Sequence, residues 1–347
     1  MTDQPAIPTL LDVARAAGVS TATVSRCLNK ESTVAQATRA KVMQVVDALG
    51  YTPNFNARAI AAKRSQTIGA IIPTMENAIF ARGLQAFQEA LHEMGFTLLV
   101  SSSAYQPELE AQQIRSLIAH GADGLLLIGY ERDPSVYEYL ARRSIPTVLA
   151  WAFSNDQNLD AVGFDNRAAM AELANAVLGM GHRRIGYISG ILEGNDRAQS
   201  RLEGVHDAML GFGLDPATIT LVERHYDIEE GAEAFEMVMK SEPRPTVVMC
   251  GNDVLAAGAL ARAYQMGLKV PEDVSITGFD DIELAKILQP PLTTVHVPHR
   301  LMGRTAAEVL VQKIAGETET IVRELPVEIM LRGSLAPPRN AAADRST

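Results

Sequence analysis

Near its amino terminus the chain reads Thr9-Leu10-Leu11-Asp12-Val13-Ala14-Arg15-Ala16-Ala17-Gly18-Val19-Ser20-Thr21-Ala22-Thr23-Val24-Ser25-Arg26-Cys27-Leu28. Leu10, Val13, Ala14 and Ala17 fall at i, i+3, i+4 and i+7, one face of a short helix. Thr9 with Asp12 three residues on is an N-cap whose carboxylate also meets the positive end of the helix dipole. Gly18-Val19-Ser20 then supplies a tight turn: glycine accepts a positive φ, and Ser20 can cap the next helix. That second helix is predicted over Thr21 to Leu28, with Val24 and Leu28 inward and Thr21, Ala22, Ser25 and Arg26 outward. A third, from Gln36 to Leu49, turns Val42, Val45, Val46 and Leu49 inward and stops at Gly50.

Two helices about a glycine turn, buttressed by a third, make a helix-turn-helix unit, with a generic three-helix bundle as the alternative. The outward residues separate the two. Short Thr21, Ala22 and Ser25 permit close approach to base edges, and Arg26 can reach phosphate or guanine. Beyond Pro53, the stretch Asn54-Phe55-Asn56-Ala57-Arg58-Ala59-Ile60-Ala61-Ala62-Lys63-Arg64-Ser65 is alanine-rich and basic, and too short to hold a helix alone.

Charge divides at the same place. The chain of 347 residues has a formal net charge of −10, which by itself argues against nucleic acid. Yet residues 1–66 carry eight basic against four acidic side chains, and the rest carries 23 against 37. The head is therefore suited to phosphate and the body is not. Two widely separated cysteines, Cys27 and Cys250, make neither a disulfide framework nor a ligand-spaced metal site. No window has the roughly 18 consecutive apolar residues of a membrane span, and Met1 to Pro8 lacks an export signal, so a cytoplasmic protein without membrane contact is expected.

From Thr67, apolar runs alternate with amphipathic helices: Ile68 to Ile72, Thr97 to Val100, Gly124 to Ile128, Thr147 to Trp151, Ala161 to Phe164, Ile185 to Ile188, Thr246 to Cys250 and Val274 to Thr277. Near-continuous apolar strands between helices specify an α/β fold of doubly wound parallel sheets, with ligands beyond the carboxyl ends of the strands. No strand is followed by a dinucleotide, triphosphate or hydrolase loop, so neither enzyme chemistry nor a bound cofactor is expected.

The head motifs Leu10-Leu11-Asp12-Val13-Ala14, Ala17-Gly18-Val19-Ser20, Thr23-Val24-Ser25-Arg26, Leu28-Asn29 and Gly50-Tyr51-Thr52-Pro53-Asn54 resemble the LacI/GalR family of bacterial transcription regulators. The resemblance continues through Gly121-Ala122-Asp123-Gly124, Gly181-His182-Arg183-Arg184-Ile185, Arg201-Leu202-Glu203-Gly204, Asn252-Asp253, Gly278-Phe279-Asp280-Asp281 and Pro291-Leu292-Thr293-Thr294. It implies a helix-turn-helix head (1–52), a hinge (53–66) and a periplasmic-binding-protein-like core (67–338), followed by a disordered tail (339–347). The core would be two lobes, about 67–163 with 292–322, and 164–290 with 325–338, crossed three times by the chain.

Carried over by position, Thr21 and Ala22 choose bases and Arg26 lies further along the recognition helix. Ser20 and Thr23 support phosphate contacts, and further DNA contacts are expected at Thr9, Leu10, Ser25, Asn29, Tyr51, Asn54, Ala57 and Arg58. Ile60 stands where the family wedges a leucine into the minor groove; it is β-branched and poorer in a marginal helix. Ala35 stands where a capping serine usually precedes the third helix. In the cleft, Arg201 and Asp280 match the arginine and acid that hold polar ligand groups, with a salt bridge on the cleft rim as the alternative. Asn252 is a further polar contact, Phe80, Phe164 and Tyr226 are walls or core, and Asn195 and Arg197 lie on a loop that reaches the ligand. Trp151, the chain's one tryptophan, either stacks on a sugar ring or narrows the pocket, and His299 is expected as a neutral rim residue.

The resemblance thus implies a ligand-responsive transcription regulator, a repressor of carbohydrate or sugar-acid genes, whose effector is a sugar or sugar acid. A purine or other small metabolite is the alternative, and a solute-binding protein a more remote one. A tail without apolar heptads favours a homodimer on a pseudo-palindromic double-stranded operator.

Overall fold

The computed structural model describes residues 8–28, 34–52, 64–76, 78–154 and 158–339. They fall into two compact units, one ending at Ser65 and one beginning at Gln66.

The first unit consists of α1 (Leu10–Ala17), α2 (Thr21–Leu28) and α3 (Gln36–Leu49). The Asp12 N–H donates to Thr9 Oγ1 at 3.3 Å and the Thr9 N–H to Asp12 Oδ2 at 2.9 Å, a reciprocal cap at the start of α1. Gly18 closes α1 at φ +67°, and Ser20 Oγ accepts the Thr23 N–H at 3.2 Å at the start of α2. Ala35 precedes α3 with no side-chain cap. Val13, Ala14, Ala17, Val24, Cys27, Val42, Val46 and Tyr51 form the core. Two positions differ from the sequence reading. Cys27 joins Val24 inside, the thiol behaving as a small hydrophobe, while Leu28 packs against the core half-buried. Leu49 is 38% exposed, because the last turn of α3 runs past the edge of so small a core.

In the second unit, one lobe is built on β1 (Thr67–Ile72), β2 (Thr97–Ser102), β3 (Gly124–Ile128), β4 (Thr147–Ala150), β5 (Ala161–Gly163) and β11 (Val322–Glu324). They make a parallel sheet in the order β11-β5-β4-β3-β1-β2, with α4 (Ala78–Glu93), α5 (Pro107–Ala119), α6 (Pro134–Arg142) and α12 (His299–Ala315) around it. Gly69 sits at the crowded centre of β1: a Cβ there would lie 2.7 Å from Leu125 and 2.9 Å from Leu117. The other lobe has the parallel order β7-β6-β8-β9, from β6 (Ile185–Gly190), β7 (Thr220–Arg224), β8 (Val247–Cys250) and β9 (Ser275–Thr277). Its helices are α7 (Asn166–Gly179), α8 (Asp196–Gly211), α9 (Ile228–Met239), α10 (Asp253–Gln265) and α11 (Glu283–Ile287). The chain passes between lobes from β5 to α7, through β10 (Thr294–His296) to α12, and from β11 to β12 (Glu328–Met330), β12 pairing antiparallel with β10.

All eight strands read from the sequence are present, and β7, β10, β11 and β12 are additional. These four are short and half-exposed or mixed, so no apolar run marks them. One hydrophobic core runs from Ile68 and Phe87 through Trp151, Phe164 and Phe279 to Leu173 and Tyr187, joining the lobes behind the cleft. No helix of the described residues is long and apolar enough to cross a membrane.

Candidate functional site

On α2, Thr21, Ala22 and Arg26 are exposed, while Thr23 and Ser25 are half-buried. The first turn thus presents small side chains and the far end a guanidinium. Ser20 Oγ and Thr23 Oγ1 lie 2.9 Å apart, so the hydroxyls at the turn hold each other. Thr9 is exposed but engaged with Asp12, and Leu10 is half-buried. Tyr51 closes the core at 9% exposure, so its ring is not a surface group. Asn29, Asn54, Ala57, Arg58 and Ile60, and with them most of the hinge reading, lie outside the described residues.

In the larger unit the carboxyl ends of both sheets face a cleft. Trp151 follows β4, Phe164 follows β5, Asn195 and Arg197 open α8 with Arg201 one turn on, Tyr226 follows β7, Asn252 caps α10, and Asp280 follows β9. Arg201 Nε donates to Asn166 Oδ1 at 2.8 Å and Nη1 to the Gly251 carbonyl at 2.6 Å. Its guanidinium carbon stands 3.9 Å from the Phe279 ring centroid. Three supports fix the plane of the fork and leave Nη2 facing Asp280, 3.8 Å from Oδ1. That is ion-pair range without a hydrogen bond.

Asp280 is fully buried, at φ +103°, and neither carboxylate oxygen has a hydrogen-bond partner among the described residues. Burial pushes its pKa up to about 6 against the pull of Arg201. The pair is therefore not a rim salt bridge but two buried groups with unspent hydrogen-bonding capacity. His299 Nε2 lies 3.9 Å from Asp280 Oδ1, and neither ring nitrogen is bonded. Burial drives the imidazole down to about 3, so it is neutral as expected, but at 4% exposure it is a wall of the cleft and not its rim.

Trp151 is 1% exposed at φ +63°, its ring 5.5 Å from Phe80 and 6.3 Å from His299. Gly83 makes room for it: a Cβ there would meet the indole at 2.5 Å. Its Nε1 is another buried donor without a partner, as are Asn252 Nδ2 and the hydroxyls of Tyr187 and Ser189. Buried polar atoms are ordinarily bonded, so several orphans about one cleft point to a polar ligand. Phe164 is stacked on Phe279 at 6.0 Å, and both are buried. Asn195 is spent largely on capping α8 and reaches Tyr226 Oη only at 3.4 Å. Arg197 is engaged too, donating to Asp196 Oδ1 at 2.7 Å, while Asp196 Oδ2 accepts the Tyr130 N–H at 2.5 Å from the other lobe.

Sequence reasoning missed Asn166, Tyr187, Ser189 and Tyr105. It also missed Asp253, which accepts from Thr294 Oγ1 at 2.6 Å and the Ile282 N–H at 2.8 Å and is held well above the usual carboxylate range by burial. The Asn252-Asp253 and Thr293-Thr294 motifs carried the signal for Asp253, since a buried acid needs a hydroxyl nearby. The His182 and Arg183 cluster is structural: His182 bonds Thr246 Oγ1 and the Ala336 carbonyl, each at 2.9 Å, and Arg183 donates to the Leu178 carbonyl at 2.8 Å. An open pocket of about 460 Å³, lined by Arg184, Arg244 and Arg339 among others, lies beside this cluster at the amino ends of the second sheet's strands, away from the cleft.

Residues 9–54 match the model of the bacterial regulatory proteins of the lacI family, and residues 65–331 match that of the periplasmic binding proteins and sugar binding domain of the LacI family. The chain is 35% identical over 331 residues to the HTH-type transcriptional repressor PurR of Vibrio campbellii, covering 94% of this chain and 98% of that one. It is 35% identical over 316 residues to the ribose operon repressor of Haemophilus influenzae, covering 90% and 93%. Its fold is similar to the lac repressor dimer bound to operator and the anti-inducer ONPF, with a TM-score of 0.84 and 27% identity over 95% of this chain and 99% of that one. With a helix-turn-helix at one end and a two-lobed core at the other, the chain belongs to the LacI family of DNA-binding, effector-responsive transcriptional regulators.

Proposed function

We propose that this regulator is a cytoplasmic homodimeric repressor of carbohydrate or sugar-acid genes, and that its effector is a sugar or sugar acid bound at Arg201 and Asp280. The observation that carries the effector reading is the fully buried Asp280 carboxylate, unbonded on both oxygens, beside a guanidinium with a free edge. Asp280 accepts two hydroxyls, Arg201 Nη2 and Trp151 Nε1 donate to ring or carboxylate oxygens, and Phe80, Phe164 and Phe279 provide apolar walls. Thr21, Ala22, Ser25 and Arg26 read the major groove of a pseudo-palindromic operator, one α2 per half-site. Exposed Tyr264 on α10 and Ile287 on α11, at 86% and 74%, support burial against a second copy.

A purine is the second reading, favoured by the similarity to PurR repressors and the stacked Phe164 and Phe279. Isothermal titration of wild type and Asp280→Ala with D-gluconate, D-ribose and hypoxanthine separates the two. A hit bound equally well by both proteins removes Asp280 from the site. For the head, Arg26→Ala and Thr21→Val should each cost about 1–3 kcal/mol of operator discrimination. Unchanged specific binding in both variants would show that α2 does not read the bases.

A further inference from the structure

Tyr105 lies in the turn after β2, outside every motif that the family resemblance marks. Ala104 and Tyr105 are consecutive non-glycine residues at positive φ, +49° and +57°. A side chain at either position is strained, and such strain persists only where the surroundings impose it. The effect of this turn is to bring the phenol ring to the cleft. Arg197, Arg201, Asp280 and Tyr226 are the charged and titratable groups around it, and burial raises its pKa far above the usual tyrosine value.

The ring stands 6.0 Å from that of Tyr226, tilted by 46°, so one lobe contributes each half of an aromatic pair. Tyr226 is firmly seated. The hydroxyl end of its ring packs on Gly190, where a Cβ would come within 2.2 Å, and its hydroxyl faces Asn195 Nδ2 at 3.4 Å. A ligand ring sandwiched between the two tyrosines would need about 7 Å, twice an ordinary carbon–carbon contact. Nothing fits between them at this separation. A ligand must lie wholly beneath, against Arg201, Asp280 and the orphaned polar atoms around them.

We propose that Tyr105 is a specificity-determining residue of the cleft, forming with Tyr226 a gate across the two lobes that encloses ligands no longer than one monosaccharide or one fused purine and holds out disaccharides. The gate rests on the reading of Arg201 and Asp280 as the effector site. It adds that a disaccharide is held out, whatever its fit to Arg201 and Asp280.

The test uses the full-length protein and six probes: D-ribose, D-glucose, D-gluconate and hypoxanthine as compact ligands, and cellobiose and maltose as disaccharides. Trp151, the sole tryptophan, lies in the cleft wall, so its emission reads the site directly, with the melting temperature as a second signal. In Tyr105→Ala a compact probe that binds wild type should weaken at least tenfold, and cellobiose or maltose should produce a saturable response absent from wild type. Tyr105→Phe, which keeps the ring, should stay within threefold of wild type. A Tyr105→Ala profile within twofold of wild type on all six probes, silence included, overturns the proposal, as does a wild type that binds a disaccharide as tightly as a compact probe. A compact probe lost in Asp280→Asn but unchanged in Tyr105→Ala sinks the gate alone, whereas one that survives Asp280→Asn sinks the cleft reading itself.

Discussion

Replacing Asp280 by asparagine should make the ligand-free protein more stable at neutral pH. The side chain is fully buried with both oxygens unbonded, and its nearest cation, Arg201 Nη2, is 3.8 Å away. Burial raises the acid from 3.8 to about 6, a change of about two units, so keeping it ionised in the folded state costs about 3 kcal/mol at about 1.4 kcal/mol per unit. The sign is set by linkage. Between the unfolded and folded pKa values the folded protein holds a proton that the unfolded chain has lost, so this group favours folding below pH 3.8 and loses that contribution as pH rises through 6. Asparagine has the same shape and cannot ionise, and it tolerates positive φ about as well as aspartate. An unmade hydrogen bond is common to the amide and the protonated acid, so the pH-dependent part of the comparison isolates the charge.

The expected stabilisation of Asp280→Asn is therefore about 3 kcal/mol at pH 8, about half that at pH 5 and about 0.6 kcal/mol at pH 4. Urea unfolding followed by circular dichroism and Trp151 emission at these three values measures it, provided the slope with denaturant is unchanged. A variant less stable than wild type at pH 8, or a difference that stays flat from pH 8 to pH 4, refutes the reasoning. A stabilised variant that has also lost effector binding would show that the cost of the buried charge is retained for function.

Three further substitutions probe the supports of the two units. Gly83→Ala would ordinarily strengthen a helix, but its Cβ meets the Trp151 indole at 2.5 Å, so a loss of about 1–3 kcal/mol and a shifted Trp151 emission are expected; an unshifted, stabilised variant would show that the indole can yield freely. Thr294→Val removes the 2.6 Å hydroxyl bond to buried Asp253 at nearly constant volume and should cost about 1–3 kcal/mol in urea unfolding, with a change under about 0.5 kcal/mol counting against the bond. Ala35→Ser supplies the cap that α3 lacks and should add about 1 kcal/mol, read as slower hydrogen exchange of the first α3 amides; unchanged exchange would show that the serine does not cap.

How much could be read from the sequence depended on whether a signal was local. The head was legible because its determinants lie within four residues of one another: Thr9 with Asp12, Gly18 at positive φ and Ser20 with Thr23 each declare themselves in the chain. The buried strands were legible because a strand covered on both faces must be apolar throughout. Strands β7, β11 and β12 were not, since they lie where only part of the side-chain surface is covered, and β10, though buried at Thr294 and Val295, is three residues with a single apolar one. In the cleft, Arg201 and Asp280 were singled out through their motifs, but their burial was not legible. The rim alternative fails because Phe279, next to Asp280 in the chain, lies against the Arg201 guanidinium, and His299 of α12 closes beside Asp280. Tyr105 carried no signal at all: its placement depends on a backbone turn that an alanine-tyrosine pair does not announce.

The same long-range contacts indicate how a ligand in this cleft could act on the whole core. Asn166 Nδ2 donates to the Trp151 carbonyl at 2.9 Å, Asn166 Oδ1 accepts from Arg201 Nε, and Arg201 Nη1 holds the Gly251 carbonyl. A continuous line of bonds thus runs from the end of a first-lobe strand, through α7 and α8, to the end of a second-lobe strand. Across the cleft, Asp196 takes the Tyr130 N–H, and Arg82 meets Glu283 at 2.9 Å on the other side. On the proposed reading, a ligand that takes Arg201 Nη2 and the Asp280 oxygens loads one end of this line and not the other. It shifts the lobe arrangement only by the difference in its affinity for the two arrangements. On that reading the orphaned atoms of Asp280, Trp151 and Asn252 contribute to the difference, because a ligand would satisfy each only where the lobes hold it within hydrogen-bond reach. Regulation by an effector is then a consequence of having left these groups unbonded in the fold.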